Sequence, residues 1–432
     1  MGSIKSIKDT LKAYAKLIGV VLSSSFSNIK RNDDGDILFV AWYLPPSVSS
    51  GVYRPLSFIK YAESNSLKMS CVSGYLDEPS LSVGKILEEE LSGTVYIERA
   101  LNLELQVSWV FFPRIQEGSF LDVISIYKSA VDKYKHSPPK IIVATGPPFS
   151  DFIAATLLAK KFSSKLILDY RDEWSERPFG LIKKEFFDRR LEQWCLSNAD
   201  AVIFTTESQI EHQLEVFDIL KKKKCHYIPN GWDKGGRSVI REVEKSCDRR
   251  NTVVISYIGH LGAHADFYSF LACLEMVIDS NDAIDIRIDL IGDVGARALR
   301  SMEKFSKKIK INIIGRVPKS KVSQYAKDSD LLLLMSDKDL ARYRPGKIYD
   351  YIASKTPTLV YGCEGEVKDI VCGLDAGFFV KSSDHQGLEA AILNSKGFNL
   401  SDKQNNKINA WLERHERDVL ANKFFNIVMN IN

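Results

Sequence analysis

The stretch Arg344-Pro345-Gly346-Lys347-Ile348-Tyr349-Asp350 sets a lysine and a carboxylate three residues apart, at a turn that can open a helix. Just before it, residues 331–335 are a short apolar run of the kind that forms a buried strand. At such a helix start the first backbone N–H groups lack intrahelical partners. Those groups, the positive end of the helix dipole and the Lys347 ammonium all favour an anion, and a phosphate fits that seat. Asp350 can accept a hydrogen bond from a sugar hydroxyl of the same ligand. Phosphate and ribose together imply a nucleotide. A surface helix with a lysine near its start is the plainer alternative, but strand, turn and helix all agree with a ligand seat.

Elements that could position this seat alternate along the chain. Buried strands are expected at 37–41, 69–73, 140–145, 165–170, 201–205 and 226–228, with helices near 150–161 and 183–198. Residues 75–135 give no clear pattern. After a polar stretch at 234–251 the alternation restarts, with strands at 253–258, 284–291, 311–314, 331–335, 358–361 and 378–380 and helices at 266–279 and 321–328. The reading is α/β, two Rossmann-like doubly wound domains with an N-terminal amphipathic helix and C-terminal helices. The expected divisions are 1–36 (helix and linker), 37–233 (first Rossmann-like domain), 234–251 (link), 252–401 (second Rossmann-like domain, nucleotide side) and 402–432 (terminal helices, packing back on the first domain). Ligands of such sheets lie at the carboxyl ends of the strands, and a cleft between two such units is the default site.

A length of 432 residues exceeds what one core usually organises. No apolar run is long enough to span a bilayer, and no signal peptide with a cleavage site is visible. The seven cysteines are scattered without metal-ligand spacing, as expected of reduced thiols in the cytoplasm. Of the net charge of +4, residues 1–31 carry +5, six basic residues against Asp9 alone, which leaves −1 for the rest. A near-neutral body argues against nucleic acid as a partner.

Within the basic segment, Ile4, Ile7, Leu11, Tyr14, Ile18 and Val21 recur at alternating spacings of three and four, an apolar stripe on a helix over 4–22. Lys5, Lys8, Lys12 and Lys16 cluster on a neighbouring face. Two readings stay open: in-plane binding at an anionic leaflet, which makes the protein peripheral on the inner face of the membrane, or packing on the body or in a helix–helix homodimer.

The 331–357 segment resembles the donor site of retaining, nucleotide-sugar-dependent glycosyltransferases of family 4, in which a strand leads into a P-x-K-x-x-E-Y-x-A-x-x-x-P helix. The resemblance covers most of residues 37–400. It implies a GT-B fold, a nucleotide-diphosphate sugar as co-substrate without further cofactor or metal, and a glycan or lipid-linked acceptor in bacterial surface polysaccharide synthesis. Lys347 is then expected at the donor pyrophosphate and Asp350, replacing Glu, at the ribose. Pro45-Pro46 through Gly51 to Arg54 is similar to the family's first strand-to-helix loop, which implies Arg54 at the donor and Gly51 where a ligand approaches the backbone closely, and Asp169-Tyr170-Arg171-Asp172-Glu173-Trp174 is similar to its D-x-R-D-x-W. Arg171 could neutralise phosphate and Asp172 orient an acceptor hydroxyl. An ordinary turn at Gly51 and an Arg–Asp pair fixing a loop are the structural alternatives. Gly259-His260-Leu261-Gly262 is similar to the second glycine loop, Gly315-Arg316-Val317-Pro318 to the base-contacting loop, and Asn230-Gly231-Trp232-Asp233 to the junction motif. Arg344 or Arg316 would assist Lys347 at the diphosphate.

The family's E-x7-E pattern is incomplete, since Arg342 stands eight residues before Asp350. That departure suggests a non-catalytic nucleotide-sugar-binding or scaffold subunit as one alternative. A sugar-nucleotide epimerase of the same fold is another, although no carboxylate set for elimination is evident. Asp337-Lys338-Asp339 is read as a polar loop rather than a metal motif. The lack of G-x-G-x-x-G in either first-strand loop argues against a dinucleotide oxidoreductase.

Overall fold

The computed structural model describes residues 2–25, 36–47, 49–74, 87–107, 112–178, 185–233, 252–262, 265–281, 285–305 and 309–431. The expected links at 26–35 and 234–251 lie outside the described residues. The chain divides into two compact units, one built from residues up to Pro229 together with those from Leu420 onward, the other from Asn230–Val419.

The first unit contains, in order, α1 (Gly2–Ser25), β1 (Ile37–Val40), α2 (Tyr53–Ser64), β2 (Met69–Ser73), β3 (Tyr96–Arg99), a small hairpin β4–β5 (Arg114–Ile115, Gly118–Ser119) and α3 (Phe120–Tyr134). It continues with β6 (Ile141–Gly146), α4 (Ser150–Phe162), β7 (Lys165–Tyr170), α5 (Asp188–Asn198), β8 (Ala201–Phe204), α6 (Glu207–Val216) and β9 (Lys224–Tyr227). Seven parallel strands form its sheet in the order β3-β2-β1-β6-β7-β8-β9. Continuous apolar runs such as Ile37–Val40 arise because both faces are covered. Leu38, Val40, Ile142, Ala144, Leu166 and Leu168 face α1, α3 and α4, whereas Phe39, Cys71, Val143 and Ile167 face α2 and the C-terminal helix.

The second unit holds β10 (Thr252–Ile258), α7 (Phe267–Ser280), β11 (Asp285–Ile291), α8 (Ala296–Phe305), β12 (Lys310–Gly315), α9 (Lys319–Lys327), β13 (Leu331–Ser336) and α10 (Lys347–Ser354). Then follow β14 (Thr358–Gly362), α11 (Glu366–Gly373), β15 (Gly377–Lys381), α12 (His385–Ser395) and α13 (Asp402–Arg414). Its six parallel strands run β12-β11-β10-β13-β14-β15, so the order reverses between β10 and β13. The matching reversal in the first unit lies between β1 and β6. α14 (Arg417–Met429) carries the chain back to the first unit, where Phe424 stacks on Phe58 at 4.0 Å and meets Phe39 edge-on at 6.4 Å.

Several elements differ from the sequence expectation. The helix expected over 183–198 is described as Asp188–Asn198, and the strand at 226–228 is Lys224–Tyr227. Within the unparsed 75–135 lies α3, whose start is fixed by a reciprocal cap: Ser119 Oγ accepts from the Asp122 N–H while Asp122 Oδ2 accepts from the Ser119 N–H at 2.7 Å. Asp in place of the usual Glu or Gln hides that signature in sequence.

Candidate functional site

In the second unit the strand ends at the reversal point are lined by backbone. Gly259 follows β10 with φ +116°, and its N–H donates to the Ile291 carbonyl at 2.7 Å. Gly292 follows β11 with φ +129°, and a Cβ there would lie 2.4 Å from the Gly259 carbonyl oxygen. Only glycine permits this conformation and this close approach, so the rim stays low enough for a ligand to lie across it.

Lys347, the first residue of α10, reaches onto this rim. Its Nζ sits 3.7 Å from the centroid of the Tyr257 ring, and its Cε and Nζ lie 3.4 Å from where a Gly259 Cβ would be. Among the described residues no carboxylate pairs with it. Burial of the ammonium lowers its pKa from the ordinary 10.5 to about 7, although part of the residue surface remains exposed. No side chain caps the start of α10 at Gly346. A desolvated cation without an anionic partner, at an uncapped helix start, is the electrostatic complement of a phosphate. Packing holds α10 in place. The Tyr351 hydroxyl accepts from the Ile258 N–H at 2.9 Å, and Tyr349 stacks on Trp411 at 5.4 Å.

The other expected residues of this unit have separate settings. His260 is exposed, and its carbonyl accepts from the Tyr257 hydroxyl at 3.0 Å. The Gly262 carbonyl accepts from the Ala265 N–H at 3.3 Å. Arg316 forms an exposed two-pronged pair with Asp293 at 2.6–2.8 Å, which holds the Asp293 carboxyl below its ordinary pKa. Val317, beside it, is half-buried. Arg344 is joined to Glu366 at 2.6 Å on the far side of its turn, so its charge is already balanced. Asp350 is half-buried in the first turn of α10 with Lys347. Asp337 caps the short turn 338–340 by accepting from the Asp339 N–H at 3.2 Å, a structural use of the D-x-D triplet.

The first unit gathers a second cluster at its own strand ends. Arg171 Nη1 donates to the Gly51 carbonyl at 2.6 Å, and further N–H groups reach the Gly146 and Pro147 carbonyls. A Cβ on Gly51 would stand 2.4 Å from that Nη1, so the space that glycine opens is filled by the arginine rather than kept for a ligand. Burial lowers the pKa of Arg171. Arg54, expected at the donor, is instead a buried tie: Nε and Nη2 grip Asp169 at 3.0 and 2.7 Å, and Nη1 donates to the Pro229 carbonyl at 3.0 Å. Asp172 accepts from Arg177 at 3.0 Å, and Arg177 also meets Glu117 at 2.7 Å. The junction residues Trp232 and Asp233 are likewise structural. The Trp232 indole N–H donates to the Leu412 carbonyl at 2.8 Å, and Asp233 pairs with Arg417.

Asp151 was missed in the sequence. It opens α4 after Gly146-Pro147-Pro148, fully buried, with one oxygen accepting from the Trp42 N–H at 2.7 Å and Oδ1 without a hydrogen-bond partner. Burial lifts its carboxyl to about 8, above the lowering effect of that N–H and of Arg171. The available signal was its position in the first turn after a strand-end Gly-Pro-Pro.

Two parallel sheets with this strand order, each carrying polar residues at its carboxyl ends, define the GT-B class. Residues 104–231 match the model of the glycosyl transferase 4-like domain. Among solved structures, sucrose-phosphate synthase from Thermosynechococcus elongatus is similar with a TM-score of 0.68 at 13% identity, covering 91% of this chain and 98% of that one. The N-terminal domain of Candida albicans trehalose-6-phosphate phosphatase gives 0.67 at 15% identity, covering 94% and 99%. Anabaena HepE in complex with UDP and glucose gives 0.62 at 13% identity, covering 92% and 100%. No curated protein sequence matches the chain. The chain therefore has the GT-B fold, and its residues 104–231 resemble a glycosyl transferase 4-like domain.

Proposed function

We propose that the chain transfers a sugar, with retention, from a nucleotide-diphosphate donor to a hydroxyl of a glycan or lipid-linked saccharide in bacterial surface polysaccharide synthesis. The observation that carries this reading is Lys347, a desolvated ammonium over Tyr257 and Gly259 at the reversal point of the second sheet. As the bond from the sugar C1 to the diphosphate breaks, negative charge grows on the leaving oxygens. Lys347 and the first N–H groups of α10 oppose that charge, supplying positive potential that other sugar transferases draw from a divalent cation. The acceptor oxygen bonds to C1 from the same face, and its proton passes to a diphosphate oxygen. Asp350 takes the ribose, Gly259, Gly262 and His260 border the diphosphate, and Arg316 and Val317 border the base. Arg171 and Asp172 shape the acceptor side, with Arg171 holding the loop. Uridine diphosphate sugars are the first donors to test, because HepE was solved with UDP.

The test is product analysis with a panel of donors and lipid-linked acceptors. Release of nucleotide diphosphate that requires acceptor, and that falls in Lys347→Ala, supports the reading. Tight donor binding with neither transfer nor hydrolysis overturns it in favour of a binding subunit.

A further inference from the structure

α1 docks on the first unit through a face that its sequence pattern does not advertise. Ala13 and Val20 join the core, Tyr14 meets Phe112 edge-on at 5.2 Å, and buried Asp9 accepts from the Gln106 N–H at 3.3 Å. Toward its end, the Tyr127 hydroxyl bonds Ser23 Oγ at 3.2 Å. Apart from Tyr14, the apolar stripe over residues 7–22 is left outside. Ile7, Leu11, Ile18, Val21 and Leu22 each keep between 47% and 65% of their surface exposed. With about 3.6 residues per turn, the helix divides into three arcs of roughly 100° for the docked face, 100° for the exposed apolar face and 80° for Lys5, Lys8, Lys12 and Lys16.

An apolar strip of this size on one exposed helix face needs a cover. No helix among the described residues is long and apolar enough to cross a membrane. A second copy of α1 offers the lysines nothing, since the only acid on the helix is Asp9, which is buried and shared between Gln106 and Lys12. Anionic headgroups supply what is missing: acyl chains for the apolar arc and phosphates for the lysine arc beside it.

We infer that α1 is a built-in membrane-surface anchor, which lays the first unit on an anionic bilayer with Leu11 and Ile18 inserted and Lys5, Lys8, Lys12 and Lys16 at the headgroups. The inference stands apart from the transfer reaction, and its test needs neither donor nor acceptor. Deleting the helix would uncover the core around Ala13 and Val20, so exposed positions are substituted in the full chain. Co-sedimentation is measured with vesicles of phosphatidylcholine alone and mixed with phosphatidylglycerol. Wild type is expected to bind only the mixed vesicles, more weakly as salt rises. Leu11→Glu/Ile18→Glu should lower binding roughly thirtyfold or more. Lys5→Gln/Lys8→Gln should lower it roughly thirtyfold. Both variants should keep the wild-type melting temperature, because the replaced side chains are exposed. Wild type that ignores mixed vesicles, or binding that either variant leaves intact, overturns the inference. So does a wild-type dimer that Leu11→Glu/Ile18→Glu converts to monomer, which would make the stripe a subunit contact.

Discussion

Lys347 should make nucleotide binding depend on pH in one particular direction. In the unliganded protein burial holds its ammonium near a pKa of about 7, far below the ordinary 10.5. A bound diphosphate favours the charged form and pulls that pKa back up. Below about 7 the lysine is already protonated, so affinity is at its limit. Above it, binding must recruit a proton, and affinity should fall about tenfold, or about 1.4 kcal/mol, per pH unit. The fall stops where the pKa of the complex is reached. Between pH 7 and 9 the nucleotide phosphates are already ionised, since their second pKa is about 6, and contribute no slope of their own. Calorimetric titration of UDP across that range, repeated in buffers of different ionisation enthalpy, should report uptake of about 0.9 proton per ligand at pH 8. Lys347→Ala should bind weakly with a flat profile and lose about 2–4 kcal/mol of transition-state stabilisation in kcat/KM. A wild-type profile that stays flat from pH 7 to 9, or one that Lys347→Ala retains, refutes the reasoning. The same depressed pKa has a cost in the empty protein. Between about 7 and 10.5 the unfolded chain binds more protons than the folded one, so stability should rise with pH across that window. Lys347→Met should remove that rise and melt no lower than wild type at pH 7.

Gly292→Ala forces a Cβ against the Gly259 carbonyl in left-handed backbone, and urea denaturation should show a loss of about 1–3 kcal/mol or more, with donor affinity reduced. Arg54→Met leaves Asp169 buried without its charged partner and should cost about 3–5 kcal/mol by the same measurement. Phe424→Ala opens a cavity beside Phe58 and should cost about 3–5 kcal/mol, seen as early unfolding of the first unit. Arg316→Ala removes only an exposed pair, so melting should be unchanged while the donor KM rises several-fold if its loop borders the base.

Apolar runs were the readable part of this sequence. Strands buried on both faces, such as 331–335 and 37–41, announce themselves because no polar residue interrupts them, and the lysine after a Pro-Gly turn needs only its neighbours to be noticed. What could not be read depends on partners distant in sequence. Arg54 looks like a ligand residue until Asp169, 115 positions away, is seen to occupy it. Gly51 looks like a gap for substrate, yet the Arg171 side chain fills it. Asp151 carries no motif, and its raised pKa comes chiefly from enclosure, with a smaller push from the charge of Asp122. On α1 the heptad-like spacing correctly marked an apolar stripe. The docked face, however, sets Val20 among Asp9, Thr10, Ala13 and Ser24, small or polar residues that hydropathy does not flag.

The return of the chain at Leu420 bears on how the protein is made. The first unit cannot close until its final helix has left the ribosome, because Phe424 and Phe425 complete the packing around Phe39 and Phe58. The second unit depends on no such wait. Where its chain begins and where it ends are clasped together, with the Trp232 N–H donating to the His415 carbonyl and the Arg417 N–H to the Trp232 carbonyl, each at 3.1 Å. In topology it is an insertion whose two ends meet, the arrangement that lets one domain be spliced into another without disturbing either. During synthesis the second unit can therefore fold as soon as residues 230–419 have emerged, while the first unit remains open. A stop introduced just after Val419 would yield a chain with its second unit formed and its first core unsealed.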